Sequence, residues 1–320
     1  MKNTHETWQQ ALAHAVTDIS ELCALLSISP ADIATSALPL RAPREFVARM
    51  KKGNPFDPLL LQVLPQAIEH QKFPGYSTDP TEESKKNPVP GLLHKYPHRV
   101  LLTLTGGCAI HCRYCFRRHF PYENNLPGRD NWEKTLNYIR NDVSIEEVIL
   151  SGGDPLVLKD HLLAEFIRQL EDIPNLQRLR IHTRLPIVIP QRITDDLVAT
   201  LSHSRFQTIM VVHSNHPNEL DDAVLTALKK LNAITLLNQS VLLKNVNDDA
   251  MVLSALHKKL FSAGVLPYYL HLLDKVDGSA HFEVPEEKAL EIMRELKKML
   301  PGFLVPKLAR EVPGMLHKDF

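Results

Sequence analysis

The sequence has no net charge: 37 basic residues balance 37 acidic ones over 320 residues. Such a chain has no global field to draw it onto nucleic acid or an anionic membrane, so a small molecule or a specific protein partner is expected. Long apolar runs are missing as well. The N-terminus, MKNTHETWQQALAHAV, lacks the apolar stretch of a signal peptide, and no run approaches the roughly 18 residues needed to span a bilayer. A soluble, cytoplasmic protein is the expectation. Cysteine is scarce, and three of the four cysteines fall within eight residues. That is too close for the disulfide framework of a secreted domain, and metal ligation is the natural reading. There is no short-period repeat and no low-complexity segment. What is present is 44% hydrophobic residues, enough for one large α/β domain with an appendage.

From Thr7 to about Gln71 apolar residues recur at helical spacing, in WQQALAHAVTDISELCALL, PREFVARM and PLLLQVLPQAI, with prolines between the pieces. The next stretch, FPGYSTDPTEESKKNPVPGLLHKYPH, is rich in proline and charge and reads as an extended connection wrapping the following domain. After Arg99 the pattern changes to short apolar runs alternating with amphipathic helices. The predicted strands are RVLLTLT, EEVILS, LQRLRIHT, FQTIMVVHS, ITLLNQSV and VLPYYLHLL. The predicted helices are NWEKTLNYIRND, HLLAEFIRQLED, DDLVATLSHS, DAVLTALKKLN, DDAMVLSALHKKLF and PEEKALEIMRELKKML. This alternation implies parallel strands joined by crossovers. Polar groups close every strand (TGGC, SGGD, HTR, HSNHPN, NQS, HLLD), which favours a partial TIM-type (β/α)6 barrel with ligands at one rim over an open sheet with one switch point. A seventh strand is possible at FLVPKLA, and closure into eight is not supported. The division is 1–98, a helical region and wrapping linker; 99–300, the barrel; and 301–320, a C-terminal segment.

TGGCAIHCRYCFRRH sets Cys108, Cys112 and Cys115 in a C-x3-C-x2-C arrangement directly after the first barrel strand. Three thiolates on one tight loop can bind three irons of a [4Fe-4S] cluster and leave the fourth open. S-adenosylmethionine can chelate that open iron, and one electron from the cluster then splits its sulfonium to give a 5′-deoxyadenosyl radical. Arg113, Arg117 and Arg118 would help to hold an anionic cluster or carboxylates. A zinc knot completed by His111 or His119 is the alternative, although closed zinc sites usually pair two knuckles and only one is present here.

With this cysteine spacing and the turn SGGDPL, Ser151 to Leu156, the sequence resembles the radical S-adenosylmethionine superfamily. VPGLLHKYPHRVLLTLT, CRYCFRR, VILSGGDPL, LPIVIPQRIT, HSNHPNE, NQSVLLKNVND and PYYLHLLD narrow the likeness to the lysine 2,3-aminomutases, over most of Val89 to Phe282. The likeness is strongest to the short bacterial members that make β-lysine for elongation factor P. The resemblance implies a second cofactor, pyridoxal phosphate, bound as a Schiff base. Counting from the VP dipeptide in VPKLAREVPGMLHKDF puts that role on Lys318, with Lys307 as the alternative.

Further roles implied by the likeness are contacts to S-adenosylmethionine from Ser151, Gly152, Gly153, Asp154 and His213, and to pyridoxal phosphate from Lys95, Arg99 and Gln239. Arg117 would take the α-carboxylate of L-lysine, while Asp274 and Glu311 would hold its distal ammonium. The partners implied are a reductant such as flavodoxin or ferredoxin, a ligase that places β-lysine on elongation factor P, and a second copy in a homo-oligomer. Two other readings stay open: a radical enzyme of another kind, such as a glycyl-radical activase without pyridoxal phosphate, and a noncatalytic metal-binding interaction protein. Cys23, inside an apolar helix, reads as a buried core thiol.

Overall fold

The computed structural model describes residues 6–29, 36, 38–126, 132–315, 317 and 318. Outside that range lie residues 30–35 of the expected helical N-terminus, Asn131 at the start of one predicted helix, and Asp319 and Phe320 of the C-terminal segment.

Among the described residues eight strands form one sheet in chain order: β1 (Leu92–Tyr96), β2 (Arg99–Thr105), β3 (Glu147–Gly152), β4 (Arg178–Thr183), β5 (Gln207–His213), β6 (Thr235–Val241), β7 (Leu266–His271) and β8 (Lys307–Ala309). β1 is antiparallel to β2, and every later neighbour pair is parallel. Among the described residues β8 does not pair back onto β1, so the barrel is open. The six expected strands are all present, and FLVPKLA adds β8. β1 corrects the reading of its segment as pure connection. Leu92 and Leu93 are buried against Leu102 and Leu101 of β2, and His98, with φ at 64°, turns the chain between the strands. The sheet therefore reaches back into the region 1–98.

Among the described residues ten α-helices accompany the strands: α1 (Trp8–Ala13), α2 (Ile19–Leu26), α3 (Arg44–Ala48), α4 (Trp132–Asn141), α5 (Asp160–Glu171), α6 (Leu185–Val188), α7 (Asp195–Ser202), α8 (Asp222–Lys229), α9 (Ala250–Phe261) and α10 (Glu286–Met299). The crossover helices α7, α8 and α9 start where short polar side chains cap free N–H groups. Thr194 accepts from Leu197 N, Asp221 from Val224 N and Asp249 from Met251 N. Each helix buries one stripe, such as Leu163, Phe166, Ile167 and Leu170 of α5, at about 1.5–3 kcal/mol per large side chain.

The expected helix in PLLLQVLPQAI does not form; its residues make turns followed by a single 3-10 turn at Ala67–His70. Asp57 accepts the backbone N–H groups of Leu59 and Leu60 as a helix N-cap would, but Gln62 N and Val63 N bond to Leu59 O and Leu60 O with i−3 spacing, and Pro65, without an N–H, stops the run before a regular helix is established. Leu59, Leu60 and Val63 are still fully buried, so the apolar spacing recorded burial rather than helix. No helix among the described residues is long and apolar enough to cross a membrane.

Candidate active site

The loop after β2 carries the three cysteines, and two anchors fix it. On one side Arg113, fully buried, donates from Nε to Glu69 Oε1 at 2.8 Å, from Nη1 to Leu38 O at 2.7 Å and from Nη2 to Ser36 Oγ at 2.6 Å. Arg118 joins the same carboxylate through Nη2 at 2.6 Å and donates to Gly278 O. Burial would raise the Glu69 carboxyl, yet these two guanidinium groups hold it below its usual range. Arg113 and Arg118 thus tie the loop to the N-terminal region; of the two partners expected for them, an anionic cluster or carboxylates, the one they meet is the Glu69 carboxylate.

On the other side the turn after β3 grips the loop directly. Gly153 N donates to Thr105 O and Asp154 N to Gly107 O, both at 2.8 Å. A side chain does not fit here: a Cβ on Gly153 would stand 2.3 Å from Gly107 O, and Gly152, at φ 115°, occupies backbone space that favours glycine. Asp154 lines the cavity, but both its oxygens are engaged. Oδ1 accepts from Thr183 Oγ1 and Leu156 N, and Oδ2 from Arg184 N and Leu185 N. It locks the loop after β4 to the SGGD turn.

Arg117 is buried, and its fork is filled: Nε and Nη2 donate to the two oxygens of Glu83 at 2.7 and 2.8 Å. Only Nη1 addresses neutral acceptors, Ser151 Oγ at 3.1 Å and Gly152 O at 3.3 Å. Burial opposes its charge, but Glu83 more than offsets that and holds the guanidinium above its ordinary range.

Across the cavity, Lys318 Nζ donates to Glu311 Oε2 at 2.6 Å. Lys95 and the Tyr96 hydroxyl share the other Glu311 oxygen. Burial alone would raise the Glu311 carboxyl, yet Lys318, Lys95 and Tyr96 together pull it down to about 2. Asp274 lies nearby and goes the other way: burial pushes it up to about 7 despite the opposing charge of Lys318. Arg99 stacks on the Tyr96 ring at 4.5 Å. Lys307, the alternative to Lys318, is exposed on β8 and does not line the cavity.

His213, closing β5, shares a 2.8 Å hydrogen bond with Gln239 on β6, and its ring meets His182 edge-to-face at 5.9 Å. Burial, aided by Arg184 and Arg117, pushes His213 down to about 3, so its ring is neutral. One cavity of about 660 Å³ is lined by Cys108, Cys112, Cys115, Ser151, Gly152, Gly153, Asp154, His213, Gln239, Lys95, Arg99, Arg117, Asp274, Glu311 and Lys318 together. Arg113, Arg118 and Lys307, also singled out in the sequence, do not line this cavity.

The Radical SAM superfamily profile matches residues 102–253. L-lysine 2,3-aminomutase of Haemophilus influenzae is 52% identical over 98% of this chain and 95% of its own. The enzyme of that name from Escherichia coli is 52% identical over 97% and 93%, and the one from Clostridium subterminale 38% identical over 84% and 65%. The chain belongs to the L-lysine 2,3-aminomutase family. It is therefore an isomerase of the radical SAM superfamily, working with a [4Fe-4S] cluster and S-adenosylmethionine. Among solved structures, anSMEcpe with bound AdoMet aligns at a TM-score of 0.50 over 65% of this chain and 62% of its own, with 14% identity, a likeness of fold alone.

The thiols fit a cluster better than a single ion. All three line one cavity from a single loop, and a cluster gives each thiolate its own iron. Burial and then the neighbouring Cys115, Asp154 and Cys112 raise the Cys108 thiol well above its usual value, so a positive centre is needed to hold it as a thiolate. Glu83 and Arg184 escaped the sequence reading. HTR marked Arg184 only as a rim residue, and nothing local in TEESKK distinguishes Glu83 from a solvated acid.

Proposed function

We propose that this enzyme converts L-α-lysine to β-lysine with pyridoxal phosphate as its second cofactor. One observation carries the reading: a primary ammonium, that of Lys318, rests on Glu311 at 2.6 Å beside Asp274, in the same cavity as the three cysteines. A lysine substrate would present an identical head group to this pair of carboxylates.

Cys108, Cys112 and Cys115 would bind three irons and leave the fourth for S-adenosylmethionine, with Ser151, Gly152, Gly153 and His213 lining that part of the cavity. Pyridoxal phosphate, when bound, supplies a π-system that carries the nitrogen between adjacent carbons. Lys318 would hold it covalently, with the cations Lys95 and Arg99 suited to its phosphate and Gln239 to a polar contact. Arg117 would receive the α-carboxylate through Nη1, where a charged acceptor outcompetes the neutral Ser151 and Gly152 oxygens, while Glu83 keeps the rest of the fork aligned. The enclosing wall keeps water from a reactive radical. A flavodoxin- or ferredoxin-type reductant, a homo-oligomer, and delivery of β-lysine to elongation factor P complete the proposal; the last is supported by the likeness to the short bacterial members.

The test is anaerobic incubation of reconstituted enzyme with lysine, dithionite, pyridoxal phosphate and S-adenosylmethionine, followed by chiral chromatography. β-Lysine is the expected product. Formation of 5′-deoxyadenosine without β-lysine would return the chain to a radical reaction of another kind.

A further inference from the structure

Behind the cysteine loop lies a buried polar network that no step above uses. At its centre is Arg184, 5% exposed at the C-terminal end of β4. Its Nη1 donates to Cys112 Sγ at 2.8 Å and to the Tyr114 hydroxyl at 2.6 Å. Its Nη2 donates to Gln62 Oε1 at 2.7 Å and to Glu219 Oε2 at 3.2 Å.

Glu219 is fully buried and cannot drift, because its other oxygen accepts Gln62 Nε2 at 3.1 Å, Asn215 N at 3.0 Å and His216 N at 3.1 Å. Asn215 Nδ2 ties Tyr114 and Gln62 into the same web. The backbone N of Arg184 is held by Asp154 as well, so the residue is fixed from both ends. Side chains from the N-terminal region, the cysteine loop and the loops after β4 and β5 thus converge to aim one guanidinium at one sulfur. A buried cation with a single carboxylate partner 3.2 Å away is costly unless further negative charge lies close by. Cys112 Sγ, 2.8 Å from Nη1, would supply it once it binds iron.

We propose that Arg184 is a positioning residue that donates to the Cys112 thiolate when the cluster is bound and thereby raises the cluster's reduction potential. The inference rests on the assignment of Cys112 as an iron ligand. Reduction adds negative charge to the cluster and its sulfurs, so a charge-assisted donor stabilises the reduced form more than the oxidised one. Hydrogen-bond partners of metal ligands tune a site in this way without touching the metal. Arg184 makes the cluster easier for its electron donor to reduce.

The experiment is an EPR-monitored redox titration of anaerobically reconstituted wild type, Arg184→Gln and Arg184→Lys without S-adenosylmethionine, with iron and sulfide content measured in parallel. At a fixed potential the Gln variant is expected to be about tenfold less reduced, equivalent to about 59 mV for a one-electron couple, with the Lys variant in between. An Arg184→Gln protein with a full cluster and the wild-type midpoint overturns the proposal. Loss of the cluster in both variants also overturns it, since the role is then structural. If wild type takes up no four-iron cluster, the ligand assignment itself falls; if it does and only the midpoint is insensitive, this inference alone fails.

Discussion

Replacing Gly153 with alanine should disable the enzyme through geometry rather than chemistry. The added Cβ would lie 2.3 Å from Gly107 O, 2.7 Å from Gly106 C and 2.9 Å from Gly106 O. An ordinary contact begins near 3.4 Å, so the nearest atom must retreat by about 1.1 Å. All three atoms are backbone, and no side chain can swing away. The two loops must part, weakening Gly153 N to Thr105 O and Asp154 N to Gly107 O at about 1 kcal/mol each, with overpacking strain of about 1–3 kcal/mol besides. Cys108 follows Gly107 directly, so a displacement of about 1 Å passes to the first cluster thiol, and a misplacement of that size costs on the order of 100-fold in rate. The assay is 5′-deoxyadenosine formation per four-iron cluster under anaerobic conditions. Gly302, with nothing within 4 Å of an added Cβ, provides the control, and Gly302→Ala should match wild type. Gly153→Ala within twofold of wild type, with full iron content, would refute the reasoning.

Lys318→Ala should abolish the visible absorbance of bound pyridoxal phosphate while Lys307→Ala keeps it; the reverse pattern would move the attachment point. Asp274 is held up to about 7 by burial, so its carboxylate form prevails only above that pH. kcat/KM for lysine should therefore rise as pH passes through about 7, and Asp274→Asn should flatten that limb and lower the plateau about tenfold, as steady-state pH profiles would read. Glu69→Ala strands two buried guanidinium groups and should cost about 3–5 kcal/mol of stability; a loss under about 1 kcal/mol in urea titration would contradict the anchoring role given to this carboxylate.

The parts of the protein legible in its sequence are those governed by short-range pattern. Strand and helix periodicity depends on neighbours a few residues apart, so β2 to β7 and the major crossover helices could be read in order. The cysteine spacing and the SGGD turn are each set within a single loop, so the chemistry of three thiols beside a glycine-rich turn was visible as well. β1 was missed because its five residues, Leu92–Tyr96, follow a proline-rich stretch and become a strand only by pairing with β2. PLLLQVLPQAI misled because apolar spacing reports burial, while i−3 hydrogen bonds at Gln62 and Val63 and the missing N–H of Pro65 kept the segment to turns.

Which charge faces which was decided by the tertiary structure alone. Arg113, Arg117 and Arg118 are indistinguishable as letters in CRYCFRR. Arg117 turns to Glu83, 34 residues away, while the other two turn to Glu69, 44 and 49 residues away. Lys318 and Lys307 were alternatives on the chain, and only the packing of the C-terminal segment across the barrel mouth set Lys318 in the cavity and left Lys307 outside. Arg184 meets Gln62 across 122 residues. Ion pairs between distant segments form where the fold brings desolvated charges together, and sequence spacing carries no trace of that proximity.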